Sequence, residues 1–195
     1  MRADAATLRL AVFPRPTFLT DALLIASGTA LVSICAQISV KLPFTPVPIT
    51  GQTFAVCLVG ASLGAARGAA SLTLYFLIGV LGVPVYAHHD HGWDVITGAS
   101  GGYIVGFVAA AAVTGALAER RWDRRFSSAV GAMLTGNVVI YLVGLPWLAV
   151  VLNTNLEQTL EDGLYPFVPG DLFKLYCAAA LLPAAWRGVK YLDSR

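Results

Sequence analysis

Long apolar runs, separated by short polar segments rich in proline and glycine, dominate the chain. A transmembrane helix needs about 20 apolar residues, and the pattern predicts six such spans. They cover about residues 18–40, 50–66, 68–82, 101–118, 127–152 and 169–187. The second and third are short and share a tight turn predicted at residues 65–67, so we expect a helical hairpin there.

Composition supports a membrane protein. Of the 195 residues, 57% are hydrophobic and only 12% are charged, whereas an average soluble domain has roughly 25% charged residues. A soluble domain of this size could not bury so much apolar surface. A soluble enzyme, a disordered chain and a nucleic-acid binder are therefore excluded. We predict an all-α integral membrane protein with a single domain over residues 1–195.

The distribution of positive charge predicts the orientation of the spans. If the N-terminus lies inside, 11 of the 13 Lys and Arg residues fall in the inner segments. Lys41 is the one placed outside, and Lys174 falls within a span. Because cytoplasmic segments carry an excess of Lys and Arg, both termini are expected in the cytoplasm, which six spans allow.

Polar residues inside the predicted spans cost free energy there, so each is a functional candidate. Asp171 and Lys174, three residues apart near the start of the sixth span, share one helix face and can compensate each other's charge. Asn137 lies near the middle of the fifth span, where ligand binding and interhelical hydrogen bonding are both open. For Tyr141, one turn further on, we favour helix packing. Gln52 could face the outer mouth or cap the second span.

Three predicted outer segments, residues 41–52, 83–100 and 153–168, could converge over the outer mouth of the bundle. The second contains a His-His-Asp-His run at residues 88–91. Consecutive ligands in a flexible loop make a poor metal site, so we favour a solvated loop and expect no metal. Residues 98–102 match a nucleophile pattern, but they precede a membrane helix rather than following a strand. We therefore favour a glycine-rich turn over catalysis.

Four segments, in the same order along the chain, resemble the BioY family, the substrate-binding membrane subunits of biotin transporters. Residues 42–54 resemble the first loop of that family, and residues 79–87 the end of its third span. Residues 98–107 resemble the start of its fourth span, and residues 169–174 its sixth-span signature. The second outer loop departs from the family, which often has a glycine-rich stretch there, so its contacts stay open.

The resemblance implies high-affinity binding of biotin from outside the cell and uptake across the cytoplasmic membrane of a bacterium or archaeon. It implies no enzymatic activity and no cofactor. The expected partners are a T-type transmembrane subunit and two ATPases of an energy-coupling factor (ECF) module, so ATP would act only through them. Small residues on the first span would dock the T-type subunit: Ala22, Ala26 and Ala30. Another vitamin or a divalent metal ion is the alternative substrate.

The resemblance and the chemistry of biotin together suggest site residues. These are Asp171, Lys174, Asn137, Gln52, Tyr86, Tyr103, Phe44 and Thr45. Asp171 could accept the two ureido N–H groups, while Asn137 or Lys174 could donate to the ureido carbonyl. The three aromatic residues could pack on the fused rings. The carboxylate would need a cation or hydroxyl nearer the mouth, for which Lys41, Thr45 and Gln52 are candidates.

Overall fold

The computed structural model describes residues 5–13 and 17–194. Within these residues, a two-stranded ribbon is the only regular structure that is not helical. The elements are α1 (Leu8–Val12), α2 (Phe18–Gln37), β1 (Ser39–Val40), β2 (Ile49–Thr50), α3 (Gln52–Leu63), α4 (Ala65–Val80), a 3₁₀ turn (Ala87–His89), α5 (Trp93–Thr97), α6 (Gly101–Glu119), α7 (Phe126–Leu152), α8 (Leu156–Gly163) and α9 (Val168–Asp193).

Helices occupy all six predicted apolar segments, but they differ in length. Among the described residues, α2, α6 and α7 are long and apolar enough to cross a membrane. The pair α8 and α9, bent by 50°, provides a fourth candidate span. The apolar helices α3 and α4 have 12 and 16 residues. They are about 18 and 24 Å long, less than the roughly 30 Å hydrocarbon core.

Several predicted boundaries are wrong. Helix α2, which corresponds to the first predicted span, ends at Gln37 rather than near residue 40, because the chain continues there into strand β1. The last helix continues to Asp193, beyond the predicted end at residue 187. The hairpin break lies at Gly64, whereas residues 65–67 are helical. Gly64 has φ +87°, a conformation that glycine adopts without steric cost.

Close backbone contact places α6 at the centre of the bundle, where it packs against α3, α4 and α7. A Cβ atom on Gly60 of α3 would lie 2.4 Å from the carbonyl oxygen of Ala111 and 2.3 Å from Oγ1 of Thr114. Small residues are typical of helix pairs that approach this closely in membranes. The central packing leaves the cavity described below at one end of the bundle.

Ion pairs join three helices near the N-terminal end of α2, the end away from the cavity. Asp21 accepts hydrogen bonds from the guanidinium groups of Arg9, at 2.7 Å, and Arg67, at 2.9 and 2.8 Å. These contacts connect α1, α2 and α4. Nε1 of Trp186 on α9 donates to Asp123, in the connection between α6 and α7, at 2.5 Å.

The ribbon and the long connections between helices meet at the C-terminal end of α2. Strands β1 and β2 are antiparallel, with Ser39 opposite Thr50, and the proline-rich segment 41–48 joins them. Thr45 donates from Oγ1 to the carbonyl oxygen of Asp162 at 2.5 Å, which connects this segment to α8. Gln37 donates to the carbonyl oxygen of Tyr86 at 3.0 Å and so holds the second connection. The three segments that were predicted to converge therefore lie at the same end of the bundle.

Candidate ligand-binding site

A cavity of about 260 Å³ lies beneath the ribbon and the three connections. This volume is near the lower end of small-molecule sites, which span roughly 300–1,000 Å³. Its walls come from the ribbon, the segments between helices, and the adjacent ends of α3, α6, α7 and α9. The lining residues are Lys41, Pro46, Val47, Pro48, Thr50, Gln52, Thr53, Tyr86, Ala87, His88, Asp90, Val95, Gly98, Ala99, Ser100, Tyr103, Ile104, Phe107, Ile140, Tyr141, Phe167, Asp171 and Lys174.

A compact polar cluster occupies one wall of the cavity. Asp171, only 7% exposed, accepts hydrogen bonds from Lys174 at 2.5 Å and from the Thr53 hydroxyl at 3.0 Å. The Tyr141 hydroxyl donates to its other carboxylate oxygen. Lys174 also donates to the carbonyl oxygen of Thr50 at 2.8 Å and to Thr53 at 3.1 Å. Three separate parts of the chain, on α3, α7 and α9, therefore meet at one carboxylate.

The Asp171–Lys174 pair is stable at this depth because each charge has several partners. An uncompensated charge in a low-dielectric interior carries a penalty of several kcal/mol. Here the ammonium and the carboxylate offset each other, and the hydroxyls of Thr53 and Tyr141 satisfy two further acceptor positions of the carboxylate. The cluster thus presents both hydrogen-bond donors and acceptors to the cavity without a net charge.

Tightly held aromatic rings form much of the apolar wall. The Tyr86 hydroxyl donates to the carbonyl oxygen of Phe76 at 2.7 Å, and burial raises the pKa of Tyr86 to about 12. The Tyr103 hydroxyl donates to the carbonyl oxygen of Gly163 at 2.9 Å. The ring of Tyr103 also packs edge-on to that of Tyr141, with centroids 6.2 Å apart. The rings are therefore positioned before any ligand binds.

Three predicted site residues lie outside the cavity lining. Asn137 is buried one helical turn below Tyr141, where Nδ2 donates to the carbonyl oxygen of Met133 at 3.1 Å. The Phe44 side chain is 63% exposed at the tip of the first segment. Thr45 uses its hydroxyl to bind the backbone of Asp162. Asn137, Phe44 and Thr45 thus occupy packing or loop positions outside the lining, and their contact with a ligand stays a prediction.

The other five predicted residues line the cavity: Asp171, Lys174, Gln52, Tyr86 and Tyr103. Gln52 is the first residue of α3, and its side-chain amide does not bond to the start of its own helix. Instead, Nε2 of Gln52 donates to the Tyr75 hydroxyl at 2.7 Å. Gln52 therefore lines the cavity at the start of α3, and its contact with a ligand stays a prediction.

Sequence reasoning missed Thr53 and underestimated Tyr141. Hydroxyl side chains are common in membrane helices, where they usually bond to their own backbone or to a neighbouring helix. Their positions along the chain provided one signal, because each lies close to a residue already predicted for the site. Tyr141 is one helical turn after Asn137, and Thr53 directly follows Gln52. Only the folded chain shows that both hydroxyls converge on Asp171.

The small residues predicted to dock a partner lie on one open face of α2. Ala22, Ala26 and Ala30 are all exposed in the described part of the chain, at intervals of four residues. Residues at this spacing share one helix face. Large apolar side chains flank them on the same helix, including Leu23 and Ile34, which are also exposed.

The histidines of the second connection are not gathered into a metal-binding group. Across residues 5–13 and 17–194, no three His, Cys, Asp or Glu side chains are placed to hold one ion. His88 lines the cavity, whereas His89 and His91 are exposed.

Comparison with known proteins places this architecture in a family. A protein named biotin transporter BioY from Rhizobium etli is 34% identical over 163 residues, covering 80% of this chain and 87% of that protein. The corresponding protein of Thermotoga maritima is 36% identical over 153 residues, covering 78% and 88%. A probable biotin transporter from Pyrococcus horikoshii is 38% identical over 158 residues, covering 81% and 91%.

A solved structure shares the fold. It is described as the S-component for biotin from an ECF-type ABC transporter, and it matches with a TM-score of 0.77 and 24% sequence identity. The match covers 87% of this chain and 94% of the other. The family model described as the BioY family matches residues 5–191, and the chain therefore belongs to the BioY family.

Proposed function

We propose that this chain binds biotin in the cavity and is the substrate-specific S-component of a vitamin transporter of the ECF type. The observation that carries the proposal is the buried Asp171–Lys174 cluster in the cavity wall. Membership of the BioY family and the similarity to proteins named biotin transporters support the choice of ligand.

The cluster matches the ureido ring of biotin in its hydrogen-bonding groups. That ring offers two N–H donors and one carbonyl acceptor. Asp171 would accept from the N–H groups, and the Lys174 ammonium or the Thr53 hydroxyl would donate to the carbonyl. The two faces of the fused rings are apolar, and Tyr86 and Tyr103 would pack against them. Binding requires the cluster to exchange part of its internal hydrogen bonding for bonds to the ligand.

We infer that all six apolar helical segments cross the cytoplasmic membrane and that both termini lie in the cytoplasm. Arg9 and Arg67 lie at the end of the bundle opposite the cavity, as the positive-inside rule expects for a cavity open to the outside. The short helices α3 and α4 would then cross as a hairpin, which membranes accommodate by local thinning.

We further infer that the open face of α2 docks a T-type transmembrane subunit. The alanines at positions 22, 26 and 30 would let a partner helix approach closely, because small side chains keep two backbones near each other. The two ATPase subunits of an ECF module would supply the energy. This chain would therefore determine the substrate, and its partners would drive uptake.

Direct binding tests the proposal. Isothermal titration of the purified, biotin-free protein in detergent should give one biotin per chain. Asp171→Asn should weaken binding about tenfold or more, since loss of a charge-assisted hydrogen bond costs about 1.5 kcal/mol or more. Glu157→Gln, an exposed carboxylate on α8 outside the cavity, serves as the matched control and should bind as the wild type does.

Folded, ligand-free protein that gives no heat with biotin would contradict the proposal. Titration with other vitamins and with divalent metal ions would then identify the alternative substrate. Equal affinity of the wild type and Asp171→Asn would retain biotin but remove Asp171 from the site.

A further inference from the structure

His88 has a side-chain nitrogen that nothing in the described chain satisfies. Its Nδ1 lies 3.1 Å from the Ser39 hydroxyl oxygen, so this side of the ring is paired. Its Nε2 is buried and has no hydrogen-bond partner. Buried polar atoms are nearly always paired, and His88 lines the cavity. An unpaired ring nitrogen on a residue that lines the cavity therefore makes His88 a candidate for contact with a ligand.

The backbone holds this ring in a fixed and unusual place. His88 and His89 both have left-handed conformations, with φ of +61° and +62°. Such conformations cost free energy in residues other than glycine and persist where the surroundings enforce them, often at ligand-binding sites. Gln37 supplies the constraint, because its Oε1 accepts from the His89 N–H at 3.1 Å and its Nε2 donates to the carbonyl oxygen of Tyr86.

His88 and the Asp171–Lys174 cluster contact different strands of the ribbon. Ser39, which contacts His88, lies directly opposite Thr50, whose carbonyl oxygen binds Lys174. The cavity lining therefore includes two polar groups, one in contact with each strand of the ribbon. A ligand with polar groups at both ends and an apolar middle would satisfy both.

The polar region around His88 favours an anion. Lys41 also lines the cavity and follows Ser39 by two residues, a spacing that directs both side chains to one face of an extended segment. When the Ser39 hydroxyl donates to Nδ1, the proton of a neutral imidazole lies on Nε2. An N–H donor and an ammonium then belong to two residues that line the cavity. Asp90 lines the cavity too, so an anion would be held by these two donors rather than by a net positive charge.

We propose that His88, through its Nε2–H, binds the ligand carboxylate together with Lys41. This assignment rests on the proposed function, which supplies a ligand with a carboxylate at the end away from its ureido ring. It also gives a role to the one histidine of the 88–91 run that lines the cavity.

The test compares two ligands that differ only at the carboxylate. Biotin and biotinamide, its neutral primary amide, are titrated into the wild type, His88→Leu and His91→Leu. His88→Leu should weaken biotin binding about tenfold, as expected for a lost charge-assisted hydrogen bond, and should leave biotinamide binding within about twofold. His91 is exposed and does not line the cavity, so His91→Leu should match the wild type for both ligands.

Equal losses for biotin and biotinamide in His88→Leu would overturn the assignment, because they would mean that the residue only shapes the loop. Unchanged biotin affinity would overturn it as well. His88→Gln, which keeps a polar group toward Ser39 and an N–H donor, should recover part of the biotin affinity and provides the test if His88→Leu does not fold. Failure of the wild type to bind biotin would instead reject the proposed function.

Discussion

At the scale of single residues, the polar cluster shows how a protein interior accommodates two charges. Asp171 is bonded to three side chains and Lys174 to three oxygen atoms. Neither charge is satisfied by the other alone. The stability of each therefore depends on the presence of its neighbour, which makes the pair a strongly coupled unit.

This coupling predicts a non-additive pattern of stability. Lys174→Met should destabilise the ligand-free protein by about 2 kcal/mol or more, because it leaves the Asp171 carboxylate buried without its counter-charge. Combining it with Asp171→Asn should restore part of the loss, since the carboxylate is then replaced by a neutral amide. Thermal unfolding of the two single variants and the double variant in detergent gives the coupling free energy between the two side chains. A double variant whose loss equals the sum of the single losses would show that the two groups act independently.

The ionisable members of the cluster were predictable from sequence, and its hydroxyl members were not. Asp171 and Lys174 stand out because charges are rare within apolar runs. Thr53 and Tyr141 carry no such signal, since hydroxyls occur widely in membrane helices. The prediction of Phe44 in the site rests on the match between aromatic residues and a ring-binding pocket, but nothing in the sequence indicates which way an irregular loop directs its side chains.

At the scale of secondary structure, the contact between α3 and α6 depends on the absence of a side chain. Gly60 touches the backbone of Ala111 and the hydroxyl of Thr114, and Gly68 of α4 approaches Gly60 from the other side. Three helices therefore meet at one position. Since α3 carries Gln52 and Thr53 at its other end, this contact also sets the position of one cavity wall.

Adding a single methyl group at this contact should be costly. Gly60→Ala places a Cβ 2.4 Å from the backbone oxygen of Ala111, and overpacking of this kind costs roughly 1–3 kcal/mol. The melting temperature in detergent should fall.

Gly188→Ala provides the matched control for this substitution. Gly188 also lies within a helix, α9, but no atom lies within 4 Å of the position that an added Cβ would occupy. The substitution should leave stability unchanged or raise it, because alanine favours helices over glycine by about 0.5–1 kcal/mol. Equal effects of the two substitutions would mean that the α3–α6 contact is less tight than described.

The long helices were predictable, and the short elements were not. The apolar runs that form α6 and α7 are long enough for hydropathy to indicate them within one residue at each end. Strands β1 and β2 have two residues each, too few to show an alternating pattern. The predicted hairpin turn begins one residue late, because Gly64, not the residues after it, provides the positive φ.

At the scale of the whole molecule, the cavity and the proposed docking face occupy different surfaces. The cavity lies beneath the ribbon, whereas the exposed alanines of α2 lie on the side of the bundle and extend toward its other end. A substitution on the side of α2 should therefore leave the cavity intact.

Ala26→Trp should separate the two activities. Purified variant protein should bind biotin with the affinity of the wild type, while uptake of labelled biotin by cells that supply the ECF module should be largely lost. The bulky indole would block close approach of a partner helix. Leu142→Trp is the control, because Leu142 is exposed on α7, away from the proposed docking face. Equal loss of uptake in both variants would contradict docking through α2.

The pairing of Asp171 with Lys174 also has an electrical consequence. One elementary charge moved through a membrane potential of 100 mV requires about 2.3 kcal/mol of work. The pair carries opposite charges 2.5 Å apart on the same helix, so any displacement of α9 along the membrane normal transports both together. The field then does almost no net work on the pair, and its contribution to the transport cycle is independent of voltage.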